Sequence, residues 1–132
     1  MTDTHRRRIR PLLFLALLVA SASCSDSTGT GSFPCNGTVT ASASAGRTPT
    51  FTWSPACLVA AIEVQDNGSD VWFVSTSGAG IRSGTKYGAT PSGAIVGQAP
   101  LGLVTGTTYD LILYAGDATG LVSVIATKQF TP

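Results

Sequence analysis

The chain has 132 residues, enough for one domain, with charged residues at 11% and a formal net charge of +1. Its sign comes from Arg6, Arg7, Arg8 and Arg10; from Cys24 onward four basic residues (Arg47, Arg82, Lys86, Lys128) face six acidic ones, a net charge of −2. No basic stripe exists to hold a nucleic-acid backbone, so nucleic-acid binding is excluded as a function class. The one histidine, His5, lies in the amino-terminal leader, which removes Cys-His and Ser-His-Asp nucleophile systems and imidazole metal sites from the rest of the chain.

Residues 1–23 read as an export signal. Arg6–Arg10 form a positive n-region, Leu12–Val19 an apolar run of eight residues, and Ala20-Ser21-Ala22-Ser23 a small-residue approach to Cys24. Eight apolar residues fall short of the roughly 20 that span a bilayer. The arrangement resembles a bacterial lipoprotein signal, in which the Cys after the small residues is lipidated and becomes the new amino terminus. Ser21 stands three residues before Cys24, where that family usually carries an aliphatic residue. The resemblance implies a lipid anchor on Cys24 and a place in the cell envelope, outside the cytoplasm, on the outer membrane or periplasmic face. The alternative is ordinary cleavage near Ala22 and a secreted protein. General secretion fits better than twin-arginine export, because the residues after the Arg pair do not match the latter.

Residues 24–32 comprise Cys24 and a polar, small, aperiodic tether, Ser25–Ser32. At Gly/Ser-like stiffness its eight residues span a root-mean-square distance of about 15 Å, sufficient to hold a small domain clear of a lipid surface.

From 33 to 132 the pattern is strand-turn-strand. Val39–Ala43 and Thr50–Ser54 are the first runs. Ala60–Gln65 alternates and closes on Asp66-Asn67-Gly68-Ser69, a strong hairpin signal, before Val71–Ser75. The stretch 77–106 is Gly-rich, with short strands expected over Gly80–Tyr87 and over Ala94–Gln98. Tyr109–Ala115 alternates with Tyr109, Leu111, Leu113 and Ala115 on one face, and a turn at 116–120 leads to a last strand over Leu121–Phe130. No window holds a helical apolar period. Several short strands with turns every 8–12 residues predict an all-β sandwich of about seven antiparallel strands.

The spacing Leu103-x-x-Gly106-x-x-Tyr109 ahead of an alternating strand resembles the tyrosine corner of fibronectin type III and immunoglobulin-like sandwiches, and Thr48–Ser54 resembles their second strand with its core Trp, here Trp53. The resemblance covers 33–132 and implies that the Tyr109 hydroxyl bonds to upstream backbone.

Cys24, Cys35 and Cys57 are an odd set in an exported chain. Lipidation of Cys24 leaves Cys35 and Cys57 as a pair. A hairpin centred on Gly46 would place Val39 opposite Trp53, Ala41 opposite Phe51 and Cys35 opposite Cys57, all on one face and within disulfide reach.

Little in the sequence carries chemistry. Lys86 and Lys128 sit in no Ser-Lys motif. Glu63, Asp66, Asp70, Asp110 and Asp117 fall in turns or at outward strand positions and read as solvated charge rather than a catalytic pair. The 66–70 turn has oxygen ligands for Ca²⁺ but is shorter than an EF-hand loop and lacks its terminal Glu. No cofactor or metal is expected. Trp72, Tyr87, Ile112 and Tyr114, with Ile125, form a candidate exposed recognition strip. The expected function is therefore a non-catalytic envelope module that meets another envelope protein or, with Trp72, Tyr87 and Tyr114 as stacking platforms, a polysaccharide.

Overall fold

A computed structural model describes residues 34–116 and 122–132. The signal segment, Cys24, the tether and most of the 116–120 turn lie outside these residues. Eight strands follow in order: β1 (Thr40–Ala43), β2 (Thr50–Ser54), β3 (Ala61–Asp66), β4 (Ser69–Thr76), β5 (Thr85–Lys86), β6 (Ala94–Gln98), β7 (Tyr109–Gly116) and β8 (Val122–Phe130). They form two antiparallel sheets, β1-β2-β5 and β6-β4-β3-β7-β8, with no helix among the described residues. The protein is a β-sandwich.

The β3–β4 hairpin shows how local sequence sets the frame. Asp66 pairs with Ser69 across Asn67-Gly68, whose φ angles are 49° and 80°. A two-residue turn with positive φ at both positions matches the right-handed twist of the strands it joins, and Asn-Gly adopts it with the least strain. The Asn67 amide also donates to Asp66 Oδ1 at 2.9 Å.

Alternation then decides what is inside. Ile62 and Val64 on β3, Trp72 and Val74 on β4, and Leu111 and Leu113 on β7 are fully buried and share one core with Phe51, Trp53 and Ala41 of the smaller sheet and with Val39 just before β1. Aromatic rings hold the centre: Phe51 lies 6.1 Å from Trp72 and 5.5 Å from Phe130, and Trp72 meets Tyr87 edge-on at 5.3 Å. Such pairs add about 0.5–1.5 kcal/mol each beyond simple burial.

The first hairpin differs from expectation by two residues. Ala41 pairs with Trp53 and Ala43 with Phe51, in place of Val39 with Trp53 and Ala41 with Phe51. The cause is Pro49. In the expected register it would oppose Ala43, yet it has no N–H to give a ladder. The chain moves it into the loop instead, where it is fully buried and its carbonyl accepts from the Tyr87 N–H at 2.8 Å. The loop closes through Ser44 N–H to Thr50 O at 3.0 Å and Thr50 N–H to Ser44 Oγ at 2.8 Å. A two-residue slip preserves parity, so Ala41, Phe51 and Trp53 keep the core face.

Cys35 and Cys57 are joined, with Cα atoms 4.8 Å apart across a sequence separation of 22. The route differs from an opposed antiparallel pair. After β2 the chain turns at the cis Ser54–Pro55 bond, and Pro34 bridges Leu58 in a parallel sense, with Cys35 N–H donating to Leu58 O at 3.0 Å. The Trp53 indole N–H donates to Cys57 O at 2.8 Å, so the disulfide is fastened to the core. Within Gly80–Tyr87 the regular strand shrinks to β5, and Ile81 makes an isolated bridge to Val59.

At the corner, Leu103 and Tyr109 are buried, and Thr107 N–H reaches Val104 O at 3.2 Å around Gly106. The Val104 N–H donates to the Tyr109 hydroxyl at 2.9 Å. Arg47 Nε adds a 2.8 Å bond to Leu103 O, tying the β1–β2 loop to the same corner.

Candidate functional site on the outer face of the five-stranded sheet

The expected recognition strip divides between the two sides of the sheet. Trp72 and Tyr87 are core residues, 0% and 7% exposed. Trp72 pairs with Val64, which sets its ring inward, and the Tyr87 hydroxyl donates to Leu101 O at 2.7 Å with Val71 O at 3.2 Å. Burial pushes the Tyr87 phenol up to about 12. Ile125 is the extra residue of a bulge where the β7–β8 register shifts, and it packs against the core. Only Ile112 and Tyr114 remain on the outer face, both half-buried.

What gathers around them is different from the expected strip. Glu63, anticipated as a solvated charge, is 6% exposed. It sits on β3 between the Phe73 position of β4 and the Ile112 position of β7, in the middle of a five-stranded sheet, where neighbours cover it from both sides. One carboxylate oxygen, Oε2, accepts from the Tyr114 hydroxyl, and Oε1 accepts from the Gln65 amide. The same Gln65 nitrogen lies 3.3 Å from Asp70 Oδ1. Both oxygens of Glu63 are therefore held in place by neutral donors, which is how a buried carboxylate is tolerated. Burial, the hydrogen bond to Glu63 and the charges of Glu63 and Asp70 push the Tyr114 phenol up to about 12, so it remains a proton donor.

Phe73 supplies the apolar wall. It sits where the β4–β6 register shifts, with Gly97 as the extra residue of β6. A Cβ on Gly97 would come within 2.5 Å of the Phe73 ring, so glycine is what lets the ring lie down on the neighbouring strand. Ala61, Glu63, Asp70, Phe73, Ser75, Tyr114 and Val122 together bound an open groove of about 480 Å³.

Asp70 stands beside the Asn67-Gly68 turn and is exposed, as the sequence implies. The burial of Glu63 was not foreseen, although one signal existed: an acid at the centre of the apolar run Ala60-Ala61-Ile62-Glu63-Val64. No described helix is long and apolar enough to cross a membrane. No family model, curated protein or solved structure matches the chain.

Proposed function

We propose that the protein is a non-catalytic lipoprotein of the bacterial envelope, anchored through Cys24, that presents a fibronectin type III-like sandwich as an interaction module. Trp53 packed on β2 and the Tyr109 hydroxyl bonded to Val104 support the fibronectin-like reading, since these are the two places where the sequence resembles that family. The observation that carries the interaction reading is the outer face of the five-stranded sheet, where a buried carboxylate with both oxygens held by neighbours and a half-exposed aromatic ring border an open groove. Burying a carboxylate is costly unless it is hydrogen-bonded, and here Tyr114 and Gln65 hold it in place beside the groove. The polysaccharide alternative loses Trp72 and Tyr87 as platforms, so a protein partner is favoured.

Replacing Cys24 with Ser tests the anchor. The wild-type protein is expected in the membrane fraction with an acylated amino terminus at Cys24, and the variant in the soluble envelope fraction. An unmodified terminus at Ser23 or Ser25 in the wild type would refute lipidation.

A further inference from the structure

We propose that the groove over β3, β4 and β7 seats a cationic side chain of a partner protein, a lysine ammonium or an arginine guanidinium. The inference rests on reading the domain as an interaction module and specifies the chemistry of its partner.

Three observations converge. First, the described residues bounding the groove include two carboxylates, Glu63 and Asp70, and no Lys or Arg. Gln65 reaches both acids from a single amide nitrogen, so two like charges are held on one side of the groove with only neutral donors between them. Like charges at close range destabilise each other, and a cation placed between them reverses the sign of that interaction. Second, Glu63 is preorganised: with Tyr114 and Gln65 fixing its two oxygens, it needs no reorientation to receive a donor, and each oxygen retains further acceptor capacity. Third, the groove also carries apolar surface, Phe73 on β4 directly beside Glu63 and Val122 on β8. Phe73, seated on Gly97, and Val122 suit the methylene stem of Lys or Arg, and an aromatic ring attracts a charged head. Two acids with an aromatic ring beside them on the same face form a complement to an amphipathic cation rather than to an anion or a wholly apolar group.

The test uses the full-length lipidated chain in detergent, with ring resonances of Phe73 and Tyr114 followed by NMR during titration with N-acetyl-arginine amide. Its neutral isostere, N-acetyl-citrulline amide, and a neutral oligosaccharide are titrated in parallel. Arginine amide is expected to shift both rings saturably, citrulline amide far less, and added salt to weaken the effect. Asp70→Asn, at an exposed position that leaves the core untouched, should weaken arginine binding about fivefold. Glu63→Gln should weaken it about tenfold or more, and Asp70→Asn decides the matter where Glu63→Gln does not fold. Equal shifts from arginine and citrulline amides, or affinity unchanged in Asp70→Asn, would overturn the proposal. Saturable shifts from the oligosaccharide alone would also overturn it and restore a sugar ligand for the same groove. Membrane fractionation of the same preparations keeps failure of the anchor separate from failure of the groove.

Discussion

Trp72 and Phe73 are neighbours in the chain and belong to opposite worlds. Trp72 turns inward, is wholly buried and contacts Phe51 and Tyr87. Phe73 turns outward, is half-exposed and rests on Gly97. The same contrast runs along β3, where Ile62 and Val64 enter the core and Glu63 between them faces the groove. Both faces shield their central residues, by different means. The inner face does so by packing a second sheet against it. The outer face does so by covering one carboxylate with the side chains of adjacent strands and satisfying its oxygens locally. Inner-face stability should therefore scale with volume, and outer-face behaviour with hydrogen bonding and charge.

The sharpest way to break that contrast is to truncate both aromatics. Trp72→Ala should cost about 3–5 kcal/mol, the usual range for a large buried ring, and Phe73→Ala well under half of it. Chemical denaturation measures both, and equal costs would mean that the outer face carries core-like packing. Trp72 has a further peculiarity: its indole N–H has no partner although it is buried. Trp72→Phe removes that unpaired donor, so it should cost distinctly less than the loss of ring volume alone implies.

Next in size is the disulfide, which fastens the inner face where Trp53 bonds to Cys57 O. Reduction, or Cys35→Ala with Cys57→Ala, should cost roughly 3 kcal/mol, with reductant having no further effect on the double variant. Two free thiols in the unfolded, unreduced chain carrying lipidated Cys24 would contradict the bond.

Two hydroxyl deletions compare the faces at the level of single atoms. Tyr109→Phe leaves the Val104 N–H without its acceptor and should cost about 1–2 kcal/mol. Tyr114→Phe leaves Glu63 Oε2 short of a donor at a half-exposed position where water can enter, and should cost less than Tyr109→Phe. A midpoint unchanged in Tyr109→Phe would remove the corner bond from the account.

The smallest effect concerns pH. Tyr87 and Tyr114 both have phenols pushed up from 10.0 to about 12. Because the folded state holds these protons more tightly than the unfolded chain, their contribution is fully present below pH 10 and is lost as pH rises toward 12. Denaturation midpoints should fall over that window, and Tyr114→Phe should flatten part of the decline. Ultraviolet titration of the folded protein should show both phenolates appearing late.

Much of this was legible in one dimension because strand alternation and turn chemistry are local. Tyr109, Leu111 and Leu113 announce their face by period, Asn67-Gly68 announces its turn by the φ angles it tolerates, and the spacing of Leu103, Gly106 and Tyr109 announces a corner. The all-β class and the limits of β2 and β6 follow from the same signals. What the tertiary structure alone decided depends on contacts distant in sequence. The missing N–H of Pro49 that sets the register of the first hairpin stands in the sequence, but the Tyr87 N–H that meets its buried carbonyl is in no reading of residues 39–54. Tyr87 became a core residue because Leu101 and Val71 offered its hydroxyl carbonyl partners inside. Glu63 became a buried acid because β4 and the sequence-distant β7 flanked β3 in the sheet and brought Phe73, Ile112 and Tyr114 around one carboxylate. Alternation tells which way a side chain points, but the covering of that side is done by other strands, and only the assembled sheet determines how much water remains.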